Sequence, residues 1–190
     1  LAGIIIACGF TRPGFIWHRP DFISRLGFIL VPMTFSHDGL RDSLTHLAAP
    51  PYFYENLRRD LATAERNRSR VTLIRFQIFP TDQNLESDDD ENNQVQQSYY
   101  EVAILSFAEI LKRNIRVEDL CARLGRFEFT LILRAGHDVA DTLSKRVLHQ
   151  WRNDLFICKS SYTSAVRGES SLELLNRLDN QELQGLTESS

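Results

Sequence analysis

Three things are scarce in this chain, and each scarcity excludes a class of protein. No apolar run reaches the roughly 20 residues that a helix needs to cross a bilayer. The two longest, Leu1–Phe10 and Phe22–Phe35, are short, and Arg25 and Pro32 interrupt the second. Basic charge is not in excess either: 22 Lys and Arg against 25 Asp and Glu leave a net charge of −3, with no electrostatic footprint for duplex nucleic acid. Cysteine is sparse. Cys8, Cys121 and Cys158 lack metal-site spacing and read as buried thiols of a reducing compartment. What remains, at 190 residues, is one ordinary domain with an extension, long enough to bury a sizeable core.

The most legible stretch is Arg116–Phe129. Leu120, Ala122 and Leu124 alternate with Cys121 and Arg123, the period of a half-buried strand. Gly125-Arg126 fits a two-residue turn with glycine at the first central place, where positive φ is expected. Phe127, Phe129, Leu131 and Leu133 then share one face of a return strand, so the hairpin is expected to be central and buried. Around it, Pro50-Pro51 can open a helix because a first-turn proline sacrifices no hydrogen bond, and Phe53, Leu57, Leu61 and Ala64 continue it at helical spacing. A strand is predicted at 71–79, a helix at 100–114, another from Val139 to Trp151, a strand at 155–162 and a last helix within 167–179. The acidic stretch through Glu86, Asp88, Asp89, Asp90 and Glu91 reads as a flexible surface loop without the glycine and closing glutamate of a calcium loop. His137-Asp138 reads as a turn with an N-cap aspartate rather than an acid–base pair.

Arg123-Leu124-Gly125-Arg126-Phe127-Glu128-Phe129 resembles the signature turn of the GGDEF family, the diguanylate cyclases, which reads Gly-Gly-Asp/Glu-Glu-Phe. Gly125, Glu128 and Phe129 stand, while Arg126 and Phe127 replace the second glycine and the third-place acid. Arg116 and Asp119 match the Arg-x-x-Asp pair that product-binding members carry, with five residues between Asp119 and Gly125. Asp42-Ser43-Leu44-Thr45-His46-Leu47 is similar to the family's opening Asp-x-Leu-Thr-Gly-Leu, with His46 for glycine. Arg75-Phe76-Gln77-Ile78-Phe79 stands where active members have Asp-x-Asp-x-Phe, and Gln83, Tyr100 and Glu101 fall near the guanine-reading positions. The resemblance spans Ser36 to Asp179.

It implies an α/β fold, a central, mainly antiparallel sheet of about five strands with helices on both faces. It also implies a division into an N-terminal extension or end of a preceding domain over 1–36, a GGDEF-like domain over 37–182 and a polar tail over 183–190. The extension reads as packed strand-like chain, the truncated end of a membrane helix being the alternative. A guanidinium at position 75 cannot ligate Mg²⁺, and Phe127 offers no oxygen, so no metal, no cofactor and no cyclase activity are expected. The expected function is a catalytically inactive cytoplasmic receptor in bacterial second-messenger signalling, binding cyclic di-GMP through Arg116 and Asp119. A second arginine is sought among Arg113, Arg123 and Arg146, and the output would pass to a protein partner or a second copy. The alternatives are a ligand-free dimerisation or docking module and, less favoured, a pseudo-enzyme holding GTP without turnover.

Overall fold

A computed structural model describes residues 36–81 and 90–185. The elements run α1 Pro50–Asn67, β1 Thr72–Pro80, α2 Asp90–Asn114, β2 Leu120–Arg123, β3 Glu128–Leu133, α3 His137–Gln150, β4 Phe156–Ser164 and α4 Ser171–Asp179. The strands form one sheet in the order β2-β3-β1-β4, antiparallel at every pairing. This is the α/β architecture expected, with four strands among the described residues where about five are expected. Residues 1–35, Gln83 and most of the acidic stretch lie outside the described residues, and so does the question of the extension.

The alternation of β1 decides which helices cover which face. Ile74, Phe76 and Ile78 pack with Ile104, Phe107 and Leu111 of α2 and with Ala140, Leu143 and Val147 of α3. Leu73 faces the other way and joins Phe53 and Leu57 of α1 and Leu174, Leu175 and Leu178 of α4. Phe107 anchors the first layer, its ring meeting Phe76, Phe129 and Trp151 edge-on at centroid distances of 5.7, 5.1 and 5.2 Å. Each such side chain, taken out of water, contributes about 1.5–3 kcal/mol. Burial also pushes the Cys121 thiol up to about 12 and raises that of Cys158, so neither is a nucleophile at neutral pH.

Several expectations need correction. Helix α2 begins at Asp90, about ten residues before the expected start, so the end of the acidic stretch is helical rather than loop. Acidic residues are favoured at a helix N-terminal end by the macrodipole, which makes that composition compatible with helix. The hairpin turn sits one residue later than predicted: the Glu128 N–H donates to the Gly125 carbonyl at 3.4 Å, so Arg126 and Phe127 are its central residues. Gly125 is not in the left-handed region. Its missing side chain matters for another reason, since a Cβ there would lie 3.2 Å from the Glu128 Cβ. Strand β2 is an edge strand rather than a central one, covered by the segment before α1 through the Ala48 N–H to Cys121 carbonyl bond of 3.0 Å. The expected polar tail is held at Gln184, which exchanges backbone bonds of 2.8 and 2.7 Å with Ser160.

α4 starts with a capping box, Ser170 and Glu173 each accepting or donating across the first turn. Its Arg177 locks it to the sheet: Nε and Nη2 donate to the two Glu169 carboxylate oxygens at 2.6 and 2.9 Å, and Nη1 donates to Thr163 Oγ1 at 2.9 Å. The bond from Arg177 holds the Glu169 carboxyl below its ordinary value. A lowered carboxyl stabilises the fold above its unfolded value, near 4.3, and loses that contribution as pH falls through the lowered one. The melting-temperature gap between wild type and Glu169→Gln should therefore be constant above about pH 5.5 and close progressively on acidification. A pH-independent gap would show that the charge is not what the pair contributes.

Candidate functional site

Arg116 and Asp119 lie in the short connection between α2 and β2. The Asp119 N–H donates to the Arg116 carbonyl at 3.1 Å, closing a turn. Asp119 Oδ2 then accepts from the Arg116 N–H at 3.2 Å, and Oδ1 accepts from the Arg134 N–H at 3.3 Å, just past β3. One buried carboxylate thus ties the turn to the neighbouring strand. The Arg116 side chain is 69% exposed, and its ion-pair partner is Glu118 at 3.8 Å. A pair this exposed is worth at most about 1 kcal/mol, so a ligand would displace it easily.

These two residues line a cleft of ≈ 260 Å³. α3 supplies Asp138, Thr142 and Arg146, one face at intervals of four residues. Asn114, the last residue of α2, joins them, its carbonyl accepting from Arg146 Nη2 at 3.1 Å. The apolar part of the lining is Leu133, Val139 and Leu143. Pockets that enclose a whole small ligand run to about 300–1,000 Å³, so this cleft is sized for part of a larger one.

The structure separates the candidate arginines. Arg146 shares the cleft with Arg116 and Asp119. Arg113 is exposed in the last turn of α2, outside the lining. Arg123 is placed elsewhere: it ends β2, at the opposite end from Asp119, and its side chain is 4% exposed. Its Nη1 donates to Asp42 Oδ2 at 3.4 Å, while Nε and Nη2 donate to the Arg126 carbonyl at 3.2 and 3.0 Å. Arg123 is built into the core, and desolvation lowers its pKa despite the carboxylate beside it.

Asp138 was missed as a candidate. The N-cap of α3 is Gly136, without a side-chain cap bond, and Asp138 lies in the first turn. Its spacing of eight from Arg146 was the signal, since two residues at that interval on a helix share a face.

The signature turn closes on itself. The Arg126 guanidinium lies 4.6 Å from the centroid of the Tyr100 ring and 5.0 Å from that of Phe127, and Nη2 donates to Gln97 Oε1 at 3.2 Å. Phe127 packs edge-on against Tyr100 at 5.3 Å and faces Phe156 at 6.4 Å. The side chains at the second and third turn positions therefore fill space beside α2. Glu128 pairs with Gln77 across the strands, and Phe129 is fully buried. At β1, Arg75 Nη1 donates to Asp179 Oδ1 at 3.3 Å and Nη2 to the Gln181 carbonyl at 3.4 Å. A guanidinium has donors only, so these residues do not fit a Mg²⁺ ion. Among the described residues no three His, Cys, Asp or Glu side chains come together as a metal site. Nor, among them, is any helix long and apolar enough to cross a membrane.

No family model matches the sequence, and no curated protein does either. Solved structures do match. The GGDEF domain of DgcB from Caulobacter crescentus, in complex with c-di-GMP, superposes with a TM-score of 0.63 at 21% identity, over 76% of this chain and 88% of that one. A microbial GGDEF domain described in its interaction with bis-(3′,5′)-cyclic di-GMP gives 0.63 at 18% identity, over 74% and 85%. The GGDEF domain of FimX from Pseudomonas aeruginosa gives 0.60 at 15% identity, over 73% and 88%. At these identities the shared property is the fold: the chain has the α/β fold of a GGDEF domain, an antiparallel sheet flanked by helices.

Proposed function

We propose that this chain is a degenerate GGDEF domain that binds cyclic di-GMP at the Arg116 cleft and has no cyclase activity. The observation that carries the reading is the convergence of Arg116, Asp119 and Arg146, from two separate segments, on one cleft. A guanidinium fork donates to O6 and N7 of guanine, the geometry by which proteins read that base in DNA. A carboxylate can accept from the donors on the adjoining edge. The lack of turnover is supported by Arg75 in place of a metal-ligating acid and by Arg126 and Phe127 packed into the signature turn. Calorimetric titration of cyclic di-GMP should give micromolar or tighter binding to wild type, weakened tenfold or more in Arg116→Ala and in Arg146→Ala, consistent with about 1.5–3 kcal/mol per charged hydrogen-bonding group. Absence of heat and of any thermal shift with wild type would sink the receptor reading.

The second reading, a docking module, is favoured by α2, where Tyr99, Val102 and Leu105 are 48%, 60% and 40% exposed at three-residue intervals. It gains ground if the titration is silent while the folded protein still self-associates.

A further inference from the structure

We infer that a second copy of this chain covers the exposed face of α2, the two helices lying antiparallel about a two-fold axis at Val102. This rests on the docking reading of α2 and names what docks there. Single exposed hydrophobics are ordinary on a protein surface and need no explanation. Those of α2 are not single: Tyr99, Val102 and Leu105 follow one another along one helix. Among the described residues, α3 shows solvent no large hydrophobic side chain, α4 shows Leu172 alone, and α1 shows Tyr52 and Tyr54 only at its start. Ser98 and Ser106, exposed and small, stand four residues to either side of Val102 and share its face. Small residues a turn away on each side of a valine let a second helix approach closely, and Tyr99 and Leu105 then flank the seam.

Charge at the two ends selects the occupant and its direction. α2 opens with Asp90 and Glu91 and closes with Lys112 and Arg113. Glu91 and Arg113 each stand eleven residues from Val102, about three helical turns, so both positions fall in line with it. In an antiparallel pair about Val102, Arg113 of each copy comes opposite Glu91 of the other, and Leu105 comes opposite Tyr99. Glu109 shares the stripe, but Lys112 Nζ, at 2.8 Å, already matches its charge. The helix dipoles also oppose one another, which favours the same direction. A parallel pair would set Glu91 against Glu91 and Arg113 against Arg113. The helix is therefore complementary to itself in one direction only, the property of an isologous two-fold interface. One helix face makes a small interface, so a weak, reversible dimer is expected. The stripe shares no residue with the lining of the Arg116 cleft and stands or falls apart from cyclic di-GMP binding.

Sedimentation velocity on the full chain, with a thermal melt of each variant, tests the pairing. Wild type should dimerise reversibly in the micromolar range. Val102 is exposed, so Val102→Glu and Val102→Lys should melt like wild type. Each should nevertheless weaken the dimer tenfold or more by setting like charges on the axis. An equimolar mixture of those two variants should recover it as a heterodimer. Arg113→Glu should weaken the dimer roughly two- to fivefold at low salt, and adding Glu91→Arg should restore it, because the pair is then reversed rather than lost. Wild type that stays monomeric at every concentration would overturn this inference and leave the docking reading without its self-association. A dimer indifferent to Val102→Glu would overturn this inference alone, since the copies would then meet elsewhere. Failure of the mixture to recover, or of Glu91→Arg to restore, would overturn the antiparallel two-fold arrangement.

Discussion

Asp42→Ala should cost the domain about 3–5 kcal/mol, the penalty for stranding one partner of a buried ion pair. Asp42 is 1% exposed and Arg123 is 4% exposed, so neither charge has water to fall back on. Asp42 Oδ2 also accepts from the Thr45 N–H at 2.8 Å and from Thr45 Oγ1 at 2.7 Å. Its removal would leave a buried N–H, a buried hydroxyl and a buried guanidinium short of acceptors at once. The segment at stake runs along the edge of β2 and carries Leu47 and Ala48 into the two core layers. Against a total of about 5–15 kcal/mol for a typical domain, such a loss puts the fold near its limit. Urea melts read the effect directly. Asp42→Leu combined with Arg123→Met should lose less than Asp42→Ala, because no charge is then left unpaired. A loss under about 1 kcal/mol in the single variant would mean that water reaches Arg123, contrary to its burial.

Residue patterning made the skeleton of this domain readable, and side-chain direction limited what else could be read. The helical spacing of Phe53, Leu57 and Ala64, and the alternation through β1, each report one buried face, so α1, β1, α3, β4 and the hairpin stand close to where they were expected. Arg116, Asp119 and Arg146 were legible as residue types, but only tertiary packing distinguishes Arg146, in the cleft, from Arg123, in the core. An arginine in a strand reads as surface because its buried acceptor, Asp42, lies 81 positions away. Asp138 was hidden for a related reason: beside a glycine before a helix, an aspartate reads as a cap, although Gly136 takes that place. His46 shows the converse. It stands where the opening motif that this stretch resembles has glycine, and it holds φ at 58°, a left-handed conformation that costs a non-glycine residue about 1–2 kcal/mol.

Arg75→Asp, which supplies the carboxylate that the resemblance calls for in β1, should give a less stable protein and still no cyclic di-GMP from GTP and Mg²⁺. The Arg75 side chain is 11% exposed and faces Asp179 across 3.3 Å. Its register partners are Thr130 and Ser161, whose hydroxyls, like Arg75 Nε, are buried and without a hydrogen-bond partner among the described residues. The substitution trades an ion pair for two carboxylates in a poorly solvated row, an expected loss of about 3 kcal/mol. Burial and the neighbouring Asp179 would raise the new carboxyl above the usual 3.9 or so. A raised carboxyl favours the fold only while protonated, so the penalty should be full at pH 7 and shrink as pH falls through the raised value. A penalty that grew on acidification would contradict the like-charge account. Activity should not return, because the turn is occupied independently of β1: Arg126 stays over the Tyr100 ring, and Phe127 stays between Tyr100 and Phe156. With these side chains filling the turn, the triphosphate has no approach to the new carboxylate. Product formation by Arg75→Asp, followed by chromatography of a GTP incubation, would show that the turn is no barrier and that the non-enzyme proposal is wrong.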